Sequence, residues 1–231
     1  MRKANLCKIA GLDTINIGGT ENNTCVIILH GYGADNKDLA SLAHHTPGAD
    51  KLSWYFPNGI LEVPLSPFMM GRAWFPIDMA AYEKAMAEKT FRDFSKKRPG
   101  GFDEAMNKVN ELYFNLQEKY DKIIVGGFSQ GAMIATELAL KNDDSVSGLA
   151  ILSGVLVNQS KWEPLMEKAE TLSFFQSHGI QDPVLSIEGA RDLNALMKKH
   201  NHIGDLYDFV GQHEIPVEVI QKLGVFLKNQ S

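Results

Sequence analysis

The chain has 231 residues and a formal net charge of −5, with 44% hydrophobic and 22% charged residues, enough apolar material for one soluble domain over residues 1–231 and the wrong charge for a nucleic-acid surface. Its two cysteines, Cys7 and Cys25, cannot build a disulfide framework, so reduced thiols and a cytoplasmic location are expected. No apolar run follows the basic Met1–Lys3, and no stretch is long and apolar enough to span a bilayer, so neither a signal peptide nor a membrane helix is expected.

Leu12–Ile17 predicts a first edge strand. Thr24–Leu29 (T-C-V-I-I-L) predicts a buried strand, because the run is apolar and β-branched. It leads into His30-Gly31-Tyr32-Gly33-Ala34-Asp35-Asn36, where Asp35 or Asn36 can cap a helix over Leu39–His45. This loop nearly matches the dinucleotide fingerprint G-x-G-x-x-G, but Asn36 stands in place of the third glycine. An H-G-x-G loop after an early strand has another use, which is to supply an N–H to an oxyanion. Ser53–Phe56 is the next strand, closed by Pro57-Asn58-Gly59.

Ile60–Pro76 is strongly apolar, yet Pro64, Pro67 and Gly71 argue against a regular helix or a central strand. A loop this apolar must cover something or be covered. It is either a crossover packed into the core or a mobile wall over an apolar substrate site. In the second reading Phe68 and Met69 line the acyl channel, the wall gates chain length, and it touches a membrane surface transiently when open. Asp78–Lys97 predicts a charged helical region, broken by Arg98-Pro99-Gly100-Gly101. Phe102–Tyr120 predicts an amphipathic helix whose stripe, Phe102, Ala105, Met106, Val109, Leu112, Tyr113 and Leu116, is core.

Lys122–Leu140, K-I-I-V-G-G-F-S-Q-G-A-M-I-A-T-E-L-A-L, organises the rest. Lys122–Val125 reads as a buried strand and Ala132–Leu140 as a helix, with a glycine turn between them and Ser129 at its apex. This is the G-x-S-x-G nucleophile elbow. Gly127 and Gly131 flank the serine at the positions where a Cβ would clash in so sharp a turn. The helix that follows aims its N-terminal N–H groups and dipole at the charge of an acyl-transfer intermediate. Gly126 and Gly131 also have Walker spacing, but Ala132-Met133 replaces the required Lys-Ser/Thr.

After the elbow, strands are predicted at Val146–Leu152, Leu172–Gln176 and Ile203–Val210, and helices at Trp162–Ala169, Ile187–Lys199 and Pro216–Lys228. Alternating strands and helices define the α/β class, a mostly parallel sheet with helices on both faces. Sites in such sheets lie at the carboxyl ends of the strands. A serine nucleophile needs a base, and the base needs an orienting carboxylate, in the chain order Ser, acid, His. Asp182 is the sole carboxylate in the loop Ser177–Pro183, although Asp before Pro is also a common turn pairing. Among seven histidines, His30, His44 and His45 precede the serine, His178 sits beside the acid, and His200 and His202 sit at the wrong end of the last strand. His213 follows that strand and has both the order and the end right. No histidine has an i, i+4 partner and a carboxylate set for metal, so no metal and no organic cofactor is expected.

Five stretches, L-H-G-Y-G-A-D at Leu29–Asp35, G-R-A-W-F at Gly71–Phe75, G-G-F-S-Q-G-A at Gly126–Ala132, H-G-x-x-D-P at His178–Pro183 and G-x-x-H-E-I-P at Gly211–Pro216, carry a resemblance. The chain resembles the phospholipase/carboxylesterase family of α/β-hydrolases, which includes acyl-protein thioesterases and small bacterial carboxylesterases. The resemblance runs from about Ile15 to the C-terminus. It implies Ser129 as nucleophile, Asp182 as acid and His213 as base, an oxyanion hole from the backbone N–H groups of Tyr32 and Gln130, and an acyl site lined by Trp74 and Leu156. Pro76 and Val157 depart from the residues many members carry there, so no acyl-length preference is carried over. The expected activity is hydrolysis of carboxylic esters of small or medium acyl chains, with a small-molecule ester or lipid as substrate. Thioesterase or lysophospholipase action is the alternative, and acyl transfer or a non-catalytic binding role stands outside hydrolysis.

Overall fold

The computed structural model describes residues 2–21, 23–88 and 90–231. Its strands are β1 (Ala4–Ile9), β2 (Leu12–Ile17), β3 (Thr24–Leu29), β4 (Ser53–Pro57), β5 (Leu61–Ser66), β6 (Met69–Ala73), β7 (Lys122–Phe128), β8 (Val146–Leu152), β9 (Ser173–Gly179) and β10 (Ile203–Phe209). Eight form one sheet in the order β1-β2-β4-β3-β7-β8-β9-β10. From β4 to β10 every pairing is parallel; β1 and β2 join antiparallel at one edge.

The parallel centre is buried on both sides, which its near-continuous apolar strands require. In β3, Cys25, Ile27 and Leu29 face one core and Val26 and Ile28 face the other. The first core is covered by α3 (Phe102–Gln117), α4 (Gln130–Lys141), α5 (Gln159–Lys168) and α6 (Ile187–Lys199). The second is covered by α1 (Leu42–His45) and α7 (Val217–Gln230), through Leu42, Leu223 and Leu227. The stripe predicted on α3, from Phe102 to Leu116, is buried throughout.

Several elements differ from expectation. Leu12–Ile17 is a strand but not the edge; β1 pairs outside it through a turn at Ala10 and Gly11, both at positive φ. The Leu39–His45 helix is only the single turn α1, since Asp35 Oδ1 instead accepts from Lys37 N at 2.8 Å in a local turn. The charged region after Asp78 is helical only over α2 (Met79–Glu88), and 90–101 has no regular structure. Ile60–Pro76 is not a loop: β5 and β6 pair antiparallel as a separate two-stranded ribbon, with the register shifting between Pro64 and Ser66. A ribbon outside the main sheet tolerates a proline that a central strand would not.

Candidate active site

β7 carries Ile123, Ile124 and Val125 into the centre of the sheet and runs on to Phe128, where the chain turns sharply. Ser129 takes φ 55°, ψ −117°, held by its N–H on Leu152 O at 2.8 Å and by its carbonyl, which accepts from Ala132 N at 3.0 Å. A non-glycine residue in such a conformation costs on the order of 1–3 kcal/mol and persists because its surroundings enforce it. A Cβ on Gly127 would lie 2.4 Å from Gly131 C, the predicted mutual approach. Gly131 is glycine for a further reason: its Cβ would meet Leu29 O at 2.2 Å, at the end of β3. The turn is thus wedged between two strand ends, and α4 behind it is buried from Gln130 to Leu140.

In front of Ser129 lies a cavity of about 390 Å³ that His213, Tyr32 and Gln130 also line. His213 sits in the loop after β10, and its Nδ1 lies 2.6 Å from Asp182 Oδ2. The carboxylate can only accept, so Nδ1 carries the proton and Nε2 keeps its lone pair. No hydrogen bond joins the Ser129 hydroxyl to the His213 ring in this conformation, among the described residues. Asp182 Oδ1 accepts from Val184 N at 2.7 Å and Leu185 N at 2.9 Å. Burial pushes the Asp182 pKa up, but the His213 hydrogen bond and charge and these two N–H groups outweigh it and hold it below the usual range. His178, at the end of β9, touches Asp182 from the other side: its Nε2 lies 3.0 Å from Leu185 O and 3.3 Å from Asp182 Oδ2. Burial lowers the His178 pKa, and with two acceptors at Nε2 the proton of the neutral ring sits there.

The H-G-Y-G loop is clamped from three directions. His30 Nε2 accepts from Gly59 N at 2.9 Å, so its Nδ1 holds the proton and donates to Gly31 O at 2.7 Å. Trp74 Nε1 donates to His30 O at 2.9 Å. Backbone bonds from Gly33 N to Arg72 O and from Arg72 N to Ala34 O, both 2.8 Å, tie the loop to β6. The backbone N–H groups of Tyr32 and Gln130 have no acceptor among the described residues, and both residues line the cavity. The Gln130 side chain bridges the chain after β6, accepting from Trp74 N at 2.8 Å and donating to Phe75 O at 2.7 Å.

The expected acyl wall is placed differently. Trp74 does not line the Ser129 cavity; it is fully buried beneath the H-G-Y-G loop, and its neighbour Phe75 forms the wall instead. Leu156 lines an adjoining cavity, and the described walls of the Ser129 cavity do not include it. Phe68 (99% exposed) and Met69 (55%) stand in solvent at the ribbon tip, outside the cavity. The wall the sequence reading missed is Ile77, Met79, Tyr82, Arg92, Phe94 and Met133. The available signal was the set of large apolar residues, Met79, Tyr82, Phe91 and Phe94, interrupting a charged stretch. No group of three or more His, Cys, Asp or Glu side chains arranged to hold a metal ion occurs among the described residues.

A mostly parallel sheet that presents a serine on a strand–turn–helix apex at its carboxyl edge defines an α/β-hydrolase. Esterase PE8 superposes on all of this chain and 99% of its own with a TM-score of 0.77 at 22% identity. Acyl-protein thioesterase 2 of Zea mays covers 94% of this chain and 98% of its own with a TM-score of 0.71 at 20% identity. Residues 11–231 match the Phospholipase/Carboxylesterase family, and the chain belongs to it. In sequence it is similar to acyl-protein thioesterase 1 of Kluyveromyces lactis, 27% identical over 220 residues that cover 87% of this chain and 90% of the relative. It is a hydrolase of the esterase or thioesterase kind, a family whose substrates are small-molecule or lipidated compounds. No helix among the described residues is long and apolar enough to cross a membrane.

Proposed function

We propose that the chain hydrolyses carboxylic esters of small or medium acyl chains through an acyl-enzyme formed on Ser129. The observation that carries this reading is the His213–Asp182 contact of 2.6 Å beside a cavity that Ser129 shares with His213. Ser129 Oγ attacks the ester carbonyl carbon while His213 Nε2 takes its proton. The hydrogen bond between these two groups forms in the substrate complex, where such bonds tighten. The carbonyl electron pair moves onto oxygen, and the N–H groups of Tyr32 and Gln130 receive that oxyanion at the dipole end of α4. The intermediate collapses, the alcohol leaves with the proton from His213, and an acyl-serine remains. Water then attacks the acyl carbon, its proton passes through His213, and Ser129 departs with it to release the acid. Asp182 holds the tautomer and stabilises the imidazolium throughout.

The size and apolar lining of the cavity suit a small or medium acyl group. A thioester in place of the ester is favoured by one observation, the name acyl-protein thioesterase 1 on the relative from Kluyveromyces lactis. The same steps serve both, with a thiol as leaving group. The test is a panel of esters and thioesters of graded chain length, lysophospholipids included, run on wild type and Ser129→Ala. Turnover is expected to vanish in Ser129→Ala, and a fluorophosphonate probe is expected to label Ser129 in wild type. Labelling at another serine, or undiminished turnover in the variant, overturns the assignment.

A further inference from the structure

Arg92 lies in the irregular stretch between α2 and α3, and its guanidinium carbon sits 4.7 Å from the Phe94 ring centroid and 5.5 Å from that of Tyr82. The two rings steady a flat, delocalised cation by their faces and leave its N–H donors at the edge. The chain has five arginines, and four of them spend those donors. Arg2 bonds backbone carbonyls, Arg72 pairs with Glu62, Arg98 with Glu137 and Asp103, and Arg191 with Glu188 and Asp208. Arg92 has neither a salt bridge nor a side-chain hydrogen bond among the described residues. Burial lowers its pKa, so its charge is held partly out of water, with Asp78 the carboxylate close enough to support it.

Position gives this cation a use. Arg92, Phe94 and Leu185 belong to the walls of both the Ser129 cavity and the adjoining cavity of about 400 Å³ that Leu156 lines. Arg92 therefore stands at the wall the two cavities share, and the adjoining cavity is also lined by Asp93, Asp192 and Lys96. The other charged side chain on the Ser129 cavity is Asp38, which makes no ion pair with Arg92. A neutral apolar substrate would leave the cation unpaired in a partly dry cleft. A carboxylate or phosphate would receive two parallel N–H bonds from the fork, in surroundings where such bonds are stronger than in water.

We propose that Arg92 recognises an anionic group on the substrate, a carboxylate or phosphate one cavity-length from the ester that Ser129 attacks. This rests on the serine-hydrolase reading above. The experiment compares kcat/KM for matched pairs. Mono-p-nitrophenyl succinate against p-nitrophenyl butyrate places a carboxylate on the acyl side. A 1-butyrylglycerol 3-phosphate against 1-butyrylglycerol places a phosphate on the leaving side. Wild type is expected to favour the anionic member of one pair by about tenfold or more, the ratio a charge-assisted hydrogen bond supports. Which pair responds tells which side of the ester carries the charge. Arg92→Gln is expected to abolish that preference and Arg92→Lys to keep part of it. Wild type that cleaves both neutral esters as well as their anionic partners overturns the proposal without any variant. So does Arg92→Gln losing equally on neutral and anionic members. Ser129→Ala separates the two readings: persistent turnover there defeats the serine mechanism, whereas silence there with no charge preference in wild type defeats only the role of Arg92.

Discussion

Asp182 spends its two oxygens differently, and this makes a substitution at it predictable. Oδ1 is committed to the N–H groups of Val184 and Leu185, and Oδ2 faces His213 Nδ1 and His178 Nε2. In Asp182→Asn the amide oxygen must stay with the two backbone donors, because an NH₂ there would leave both unpaired. The NH₂ then faces His213 and needs an acceptor, so the imidazole switches its proton to Nε2, and in the mechanism proposed above it can no longer take one from Ser129. His178, already a donor toward the same point, adds to the conflict. A fall in kcat of about four orders of magnitude is expected, with the fold retained, since the change is isosteric. Steady-state kinetics beside a circular-dichroism melt checks this; turnover within tenfold of wild type would contradict the role given to Asp182.

Glu137 shows how one buried side chain on α4 organises the elements around the cavity. It is fully buried and accepts from Arg98 at 2.5 and 2.8 Å, from Trp162 Nε1 at 2.9 Å and from Lys141 Nζ at 2.9 Å. Burial pushes its pKa up, but these donors overcome that and hold it at about 2. The irregular 90–101 stretch, which carries Arg92 and Phe94, is thereby pinned at Arg98 to α4 and, through Trp162, to α5. Glu137→Ala leaves Arg98 buried with only Asp103 as partner. Breaking such a pair costs about 3–5 kcal/mol, so the thermal midpoint is expected to fall by roughly 6–20 °C. A scanning-calorimetry midpoint within a degree or two of wild type would show the network to be ornamental. The ribbon is the opposite case. Phe68→Ser, at a fully exposed tip, is expected to change stability by less than about 0.5 kcal/mol. It is also expected to leave the chain-length profile in detergent-free buffer as it was, and a selective loss on long chains would restore the gating wall. This contrast also marks what the sequence could tell. The sharp turn at Ser129 and the meeting of Asp182 with His213 were legible because strand ends, glycine spacing and chain order constrain them jointly. Helix α3 was legible from its period. β1 was not, because it is exposed almost throughout and has no apolar alternation. The ribbon was hidden by Pro64 and Pro67, and the cavity wall by the charges around Met79, Tyr82 and Phe94, whose place on the cavity only tertiary packing decides.

Across the whole molecule, acid is the condition to which this fold is most exposed, and histidines set where the loss begins. His30, His178 and His202 are all buried, and burial lowers the pKa of each. Burial disfavours a second proton at each, at His178 against the opposing pull of the Leu185 backbone, Asp182 and the Gly154 backbone. His30 Nε2 accepts from Gly59 N, and His202 Nδ1 accepts from Leu172 N at 3.2 Å. His178 Nδ1 has no partner among the described residues. These rings stitch the H-G-Y-G loop, the acid loop and the start of β9. Between the lowered folded values and the ordinary value near 6.5, the unfolded chain binds more protons than the folded one, so stability rises with pH. The contribution is complete above about pH 7 and is lost as pH falls through 6.5 and below. The carboxylates follow at lower pH. Asp182 and Glu137 have depressed folded values, so their stabilisation is present above the ordinary carboxylate range and is lost as pH falls through it, for Glu137 down to about 2. Urea midpoints measured from pH 8 to pH 3 are therefore expected to be flat above 7, to decline from 6.5, and to steepen below about 4.5. His202→Gln, distant from the cavity lining, is expected to soften the first decline without touching the second. A midpoint that stays level from pH 8 down to 4.5 would mean that these buried histidines accept their protons freely, and that the hydrogen bonds described for them do not hold the loops.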